Sequence, residues 1–269
     1  MIEPIRIADE TFALPMTFPV PGLGVLNVTP LVIRAEEPVL VETGPPVFRQ
    51  EYLDAAFSLV DPDDVQWIFL SHDDRDHSGN VIQALERCPK AKLVTTFVGV
   101  GRMAEEWRLP LDRVLLVNDG ETFSAGDRTL AAIRPPFYDA PQTRGLWDSR
   151  TGVYYAADCF GALIPTPADQ MADVPEDAWQ AGFDTFNRIN HPWHEVCDPV
   201  KVAAQVDRVR RLAPKVIASY HGPVAYHRSD QLCDALCAVA SMEPLPAPTQ
   251  ADLEAMMAAA TAQGPTPVG

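Results

Sequence analysis

The sequence is short of histidine and of positive charge. Its 269 residues include six histidines and 21 Lys or Arg residues against 37 Asp or Glu residues, for a formal net charge of −16. Nucleic acids and anionic membranes are bound by clustered Lys and Arg side chains, so this deficit argues against both as main partners. With 47% apolar and 22% charged residues the chain can bury an ordinary core, which excludes global disorder.

Cysteine is also scarce, and no long apolar run is present. The five cysteines are widely spread and never form C-x-x-C, which argues against a disulfide framework and a thiolate zinc site. An odd number of cysteines fits reduced thiols, so we expect a cytoplasmic protein. The chain opens without a basic segment followed by an apolar one, and no stretch approaches the length of a membrane span, so we expect neither a signal peptide nor a transmembrane helix.

Short apolar runs alternate with helical patterns along the chain. Phe48–Val60 has the periodicity of an amphipathic helix, and Val65–Leu70 is almost wholly apolar, as in a strand buried on both faces. Val114–Val117 and the two strands predicted after it read as an antiparallel group. Mixed strands with helices between them predict an α/β protein in which helices cover the sheets.

The domain organisation follows from composition. No linker interrupts the middle of the chain, so we expect one domain over residues 1–243. Residues 244–269 are rich in Pro and Ala and read as a C-terminal tail, with one exposed helix near Ala251–Ala260 and otherwise frayed chain. A helix is also expected to start at Ser78.

A short segment of polar residues follows the apolar run Val65–Leu70. His72, Asp74, Asp76 and His77 form the pattern H-x-D-x-D-H. Alternate residues of an extended segment point the same way, so the first three can converge, while His77 approaches from the turn into the next helix. Imidazoles and carboxylates without a thiolate favour iron, manganese or zinc. A solvated loop at a helix N-terminus would explain the acids but not the histidines.

Two more polar residues follow buried strands. Asp158 comes directly after the predicted strand Val153–Ala157, and His221 follows Val216–Tyr220. A lone histidine at a strand end is more often structural than a ligand. Here both residues repeat the placement of the first motif, so we expect them at the same site, with Asp158 suited to bridge two metal ions.

These motifs together resemble a known fold. The order H-x-[ED]-x-D-H, then D-x-F-G, then His-Gly-Pro resembles the metallo-β-lactamase fold, an αββα four-layer sandwich, over roughly residues 10–230. Glu42-Thr43-Gly44 is similar to the early D-T-G turn of that fold. A carboxylate at the third motif position resembles the diiron domain of flavodiiron proteins and related oxygen-binding diiron proteins, whereas the hydrolases usually have H-x-H-x-D-H.

The resemblance implies a set of ligands for two iron ions, with zinc or manganese as alternatives. His72 and Asp74 would bind one iron, and Asp76 and His221 the other. His77 would lie at or near the second iron, and Asp158 would bridge the pair. In the flavodiiron family such a pair reduces O₂ or NO, or binds O₂ as a sensor.

The sequence departs from the family in three respects. Asp74 stands where the family usually has glutamate. Asp139 stands where the family has a histidine in Pro-x-x-His-x-Pro, and a carboxylate there still ligates metal. No part of the sequence resembles the flavodoxin domain that supplies electrons, so we expect a separate electron donor. Family proteins are often oligomeric, which makes a homodimer compatible with the resemblance.

Three functions remain open at this point. The first is a diiron protein acting on O₂ or NO, and the second is a dinuclear zinc hydrolase on the same fold. The third is a metal-poor regulatory module, made possible by the missing histidine. The segment with His191 and His194 is expected to pack as a loop or lid over the site, and either histidine is an alternative replacement for the missing one.

Overall fold

The computed structural model describes residues 2–246 and 248–262, with only the backbone described for 259–262. The strands are β1 (Ile5–Ala8), β2 (Thr11–Ala13), β3 (Met16–Val20), β4 (Gly24–Val28), β5 (Leu31–Ile33), β6 (Val39–Val41), β7 (Trp67–Phe69), β8 (Lys92–Thr95), β9 (Val114–Leu116), β10 (Thr122–Ser124), β11 (Thr129–Ile133), β12 (Gly145–Asp148), β13 (Val153–Tyr155), β14 (Val216–Ala218) and β15 (Ala225–Tyr226). The α-helices are α1 (Arg49–Leu59), α2 (Arg75–Ser78), α3 (Val81–Arg87), α4 (Phe97–Met103), α5 (Glu176–Asn190), α6 (Pro199–Leu212), α7 (Ser229–Val239) and α8 (Gln250–Ala262).

The strands form two large sheets and a hairpin. The first sheet has the order β1-β2-β5-β6-β7-β8-β9, the second has β10-β11-β12-β13-β14-β15, and β3 pairs with β4. In the first sheet β6, β7, β8 and β9 pair in parallel, which needs crossover connections. In the second sheet only β13 and β14 are parallel.

Successive residues of one strand point into different hydrophobic cores. Each sheet therefore packs against the other sheet on one face and against helices on the other, which gives four layers. Phe69 and Tyr155 lie in the core between the two sheets. The residues beside them point the opposite way, as successive strand residues must. Ile68 packs in the core with residues of α1 and α3, and Tyr154 packs with residues of α5, α6 and α7. The predicted αββα sandwich is therefore confirmed.

Two local predictions were wrong. Val114–Val117 does not join the antiparallel strands after it, because β9 pairs in parallel with β8 at the edge of the first sheet, and β10 begins the second sheet. The helix predicted from Ser78 begins later, at Val81 (α3), and a separate short helix, α2, precedes it from Arg75, so Asp76 lies on a helical turn and not on an extended segment. The carboxylate of Asp76 therefore points into the site from a helical turn. We had expected it to point there as an alternate residue of an extended segment.

The C-terminal segment contains the helix α8, in agreement with the expected exposed helix near Ala251–Ala260, and its described side chains are mainly exposed. The rest of the predicted tail, from residue 263, lies outside the described residues, and the boundary at residue 243 stays a prediction. Among the described residues, none of the helices combines the length and the apolar composition needed to cross a lipid bilayer.

Candidate metal centre

Four segments from separate parts of the fold meet at one place. The loop after β7 and the short helix α2 carry the H-x-D-x-D-H motif, while Asp158 and His221 follow β13 and β14. Because β13 and β14 are parallel neighbours, their carboxyl ends lie side by side. Asp139 comes from the loop between β11 and β12. The structure thus brings together all the ligands expected from the sequence, in three overlapping groups, namely His72, Asp74, Asp76, His77, Asp139, Asp158 and His221.

His72, Asp74 and Asp139 form one half of the cluster, here called the acid-rich side. The Nε2 atom of His72 lies 3.8 Å from an oxygen of Asp74 and 3.8 Å from an oxygen of Asp139. The histidine is fully buried, while the Asp74 side chain is 45% exposed. This half therefore offers one imidazole and two carboxylates and is open to water.

Asp76, His77 and His221 form the other half, here called the histidine-rich side. Asp76 Oδ2 lies 3.5 Å from Nε2 of His77 and 3.3 Å from Nε2 of His221. Both imidazoles are buried. The Tyr220 hydroxyl donates to the backbone carbonyl of Asp76, which holds this helical turn against the segment after β14 that carries His221.

Asp158 lies between the two halves and is almost fully buried. Its Oδ2 is 3.9 Å from Nε2 of His72 on the acid-rich side. Its Oδ1 is 2.9 Å from Nε2 of His77 and 3.5 Å from Nε2 of His221 on the histidine-rich side. One carboxylate thus presents an oxygen to each half, the arrangement that a bridging ligand needs.

The residues present fit a pair of metal ions. Within the described part of the chain, Nε2 of His72 is buried without a hydrogen-bond partner, and Nε2 of His77 and Oδ1 of Asp158, which lie 2.9 Å apart, have no partner besides each other. A buried group without a partner costs about 1–3 kcal/mol. A first-row metal with bonds of about 2.0–2.2 Å places neighbouring ligand atoms about 3–3.5 Å apart, close to the spacings found here. Metal ions would therefore satisfy these groups.

The outer ring nitrogens are held so that Nε2 can face a metal. Nδ1 of His221 lies 2.9 Å from the backbone carbonyl of Asn27, which can only accept, so this nitrogen carries the proton. Nδ1 of His72 lies 2.8 Å from Oγ of Ser71. Hydrogen bonds of this kind orient metal-binding imidazoles in proteins.

Two supporting residues were missed by the sequence analysis. Buried Glu42 accepts a hydrogen bond from the backbone N–H of Ser71, and its other carboxylate oxygen lies 3.5 Å from Nδ1 of His77. The turn with Glu42 was noticed, but its contact with a ligand was not. Asn190 donates to Oδ2 of Asp158 at 3.3 Å. Its place beside the histidine segment was the only signal that could have found it.

Opposite charges control the pKa values in the cluster. Burial alone would lower the pKa of His77, but the carboxylates of Asp76, Asp158 and Glu42 outweigh burial and raise it well above its ordinary value. Burial alone would raise the pKa of Asp158, but the histidines around it lower that pKa well below the usual range. Asp139 differs, because burial and the charge of Asp158 raise its pKa to about 6.

The segment with His191 and His194 packs near the site without joining it. Trp193 donates to the backbone carbonyl of Tyr138, so the segment covers the loop that carries Asp139. Both histidines are buried. The groups of possible metal ligands among the described residues contain Asp139 and neither of these histidines. The alternative that one of them replaces the missing histidine is therefore not favoured by the geometry.

The sequence is similar to those of known proteins. Residues 26–222 match the family described as ODP family beta lactamase. The chain is 27% identical over 205 residues to diflavin flavoprotein A 1 of Synechocystis sp., covering 75% of this chain and 34% of that protein. It is 27% identical over 205 residues to type A flavoprotein fprA of Rhodobacter capsulatus, covering 71% and 43%. The chain spans less than half the length of these relatives.

Solved structures give the same fold. Rubredoxin oxygen:oxidoreductase from the anaerobe Desulfovibrio gigas superposes with a TM-score of 0.75 at 18% identity, covering 90% of this chain and 63% of that one. The flavodiiron protein from Giardia intestinalis gives a TM-score of 0.76 at 15% identity, covering 89% and 60%. The fold is thus that of flavodiiron cores, and because the family match extends over most of the sequence, the chain belongs to the ODP family of beta-lactamase-fold proteins.

Proposed function

We propose that this chain binds two iron ions between the acid-rich and histidine-rich sides, and that the pair binds, senses or reduces O₂ or NO. Electrons would come from a separate donor. The observation that carries the proposal is the position of Asp158, whose two oxygens face opposite halves of a cluster that contains no thiolate.

Charge balance supports two divalent ions. The four aspartates at residues 74, 76, 139 and 158 supply four negative charges when ionised, and the histidines act as neutral ligands. Two divalent cations neutralise this set, whereas the same carboxylates without metal repel one another. Burial raises the pKa of Asp139, and the charge of Asp158 raises it further, in agreement with that repulsion.

The roles of the protein groups follow from their contacts. Asp158 would fix the separation of the two ions, and Asn190 orients it by a hydrogen bond. The backbone carbonyl of Asn27 holds the proton on the outer nitrogen of His221, so that its inner nitrogen offers a lone pair, and Ser71 orients His72 through a hydrogen bond with its outer nitrogen. The bound iron pair would supply two adjacent redox centres for a diatomic ligand. The partly exposed side chain of Asp74 marks the side from which a small molecule can enter.

The names of two similar proteins support the proposed function. The name of the Desulfovibrio gigas protein states that it transfers electrons between rubredoxin and oxygen, and the Giardia intestinalis protein is named as flavodiiron. By analogy, we propose a small electron-transfer protein or flavoprotein as the donor for this chain. A cytoplasmic location and a homodimer stay predictions.

The test combines metal analysis with absorption spectroscopy. The full chain is produced in iron-replete medium, its metals are measured by elemental analysis, and its absorption is recorded before and after dithionite and then after O₂ or NO. Two irons and an absorption change that reverses on exposure to O₂ or NO are expected. Two zinc ions with esterase activity would support the hydrolase instead, and a chain without metal would contradict the proposal.

A further inference from the structure

The two halves of the cluster differ in ligand chemistry. Apart from the shared Asp158, the acid-rich side offers one imidazole and two carboxylates, and the histidine-rich side offers two imidazoles and one carboxylate. The difference arises at Asp139, which supplies an oxygen where an imidazole would make the halves equal. Two ions bound here would therefore meet unequal environments.

Unequal ligands discriminate between metals. Imidazole suits iron, while carboxylate and water oxygens suit manganese. At any single site of this type iron(II) binds more tightly than manganese(II), following the Irving–Williams order. The advantage of iron is larger where nitrogen ligands are more numerous. Which metal occupies which half therefore depends on how much more tightly each half binds iron than manganese. It does not depend on the absolute affinity for either metal.

The exposure of the ligand side chains favours the same distribution of the two metals. On the acid-rich side the side chains of Asp74 and Asp139 are 45% and 18% exposed, so water molecules can complete the coordination. On the histidine-rich side Asp76 is 31% exposed, while the imidazoles of His77 and His221 are 0% and 6% exposed. The nitrogen-rich position thus has one partly exposed ligand and the oxygen-rich position has two.

We propose that the two halves differ in metal preference, so that iron occupies the histidine-rich side and manganese the acid-rich side when both are offered in limiting amounts, whereas excess iron fills both halves. This inference rests on the proposed dinuclear site. It concerns which ion occupies which half, so it can fail while the proposed function stands.

The experiment uses the metal-free full chain, loaded without oxygen with one equivalent each of iron(II) and manganese(II). Crystals are measured by anomalous diffraction at the iron and manganese absorption edges, and the metal content is measured in solution. We expect the manganese signal beside Asp74 and Asp139 and the iron signal beside His77 and His221. Equal mixtures on both sides, or manganese beside the histidines, would overturn the inference.

The outcomes also separate the two proposals. Chains that hold only iron pairs and leave manganese in solution would overturn the mixed-metal inference and leave the diiron function intact. Chains that bind neither ion would overturn both.

Variants at Asp139 test whether the unequal ligands of the two halves cause the metal preference. Asp139→His gives the acid-rich side a second imidazole, and we expect the two ions to distribute over both halves without preference. Asp139→Glu keeps the carboxylate and is the matched control, in which manganese stays on the acid-rich side. If Asp139→His kept the preference of the unaltered chain, the ligand count would not be its cause, and the inference would be wrong.

Discussion

Two pairs of buried histidines lie close together in this protein and differ in their surroundings. His77 and His221 face carboxylates, which raise their pKa values although burial would lower them. His191 and His194 have no hydrogen-bond partner for either ring nitrogen among the described residues, and burial lowers their pKa values. The ring of His191 lies 5.5 Å from that of Phe137. Neighbouring carboxylates, and not burial, therefore distinguish the candidate ligands from the packed histidines.

The largest effect is expected at the carboxylate between the two halves. Asp158→Ala removes a ligand from both ions, so we expect the loss of both metals, measured by elemental analysis. Asp207→Ala, which alters a mainly exposed aspartate on α6, is the control and should keep both ions. An Asp158→Ala protein with its full metal content would show that this residue is not the bridge.

A matched pair of histidine truncations tests the comparison directly. His221→Ala should lose the ion of the histidine-rich side, because that side then has only one imidazole left. His191→Ala should keep both ions although it removes an equally buried ring. Metal content and the free energy of unfolding are measured for both variants. Equal metal loss in the two would mean that the distinction drawn here does not hold.

Metal removal should destabilise the fold. A ligand present at about 100 times its dissociation constant stabilises the native state by about 2.7 kcal/mol. A domain of this size changes its melting temperature by about 2–4 °C per kcal/mol, so chelation should lower Tm by about 5–10 °C. The melting temperature is measured with and without a chelator, and with metal restored. An unchanged Tm after complete removal of metal would count against the site.

His191 should add a pH dependence to the stability of the fold. Burial lowers its pKa to about 4, below its usual 6.5, so the unfolded chain takes up this proton first. The stability from the neutral ring is complete above about pH 6.5 and is lost as pH falls towards 4, by about 3 kcal/mol at most.

This loss should disappear in His191→Ala. Urea unfolding of the metal-free protein and of the variant between pH 7 and pH 4 should show a shallower decline of the unfolding free energy in the variant, whatever their difference at pH 7. Parallel declines would show that the ring is protonated or hydrogen-bonded in the folded protein.

Local patterns in the sequence were enough to predict several helices and strands. The periodicity of Phe48–Val60 predicted α1, and the apolar run Val65–Leu70 predicted β7, because side-chain direction repeats along a single helix or strand. The edge strand β9 was assigned to the wrong group, since sheet membership depends on pairing with distant segments. The short helix α2 was missed, because a four-residue helix has too few residues for a periodic signal.

The sequence by itself determined which residue types could bind metal and that they follow buried strands. The resemblance of its motifs to the metallo-β-lactamase fold also implied the αββα sandwich. Only the tertiary structure decided that Asp158 lies between two unequal halves, that Asp139 and not His191 joins His72, and that Asn190 contacts Asp158 from 32 residues away. These contacts join segments far apart in the chain, and their geometry is set by the packing of the two sheets and has no local sequence pattern.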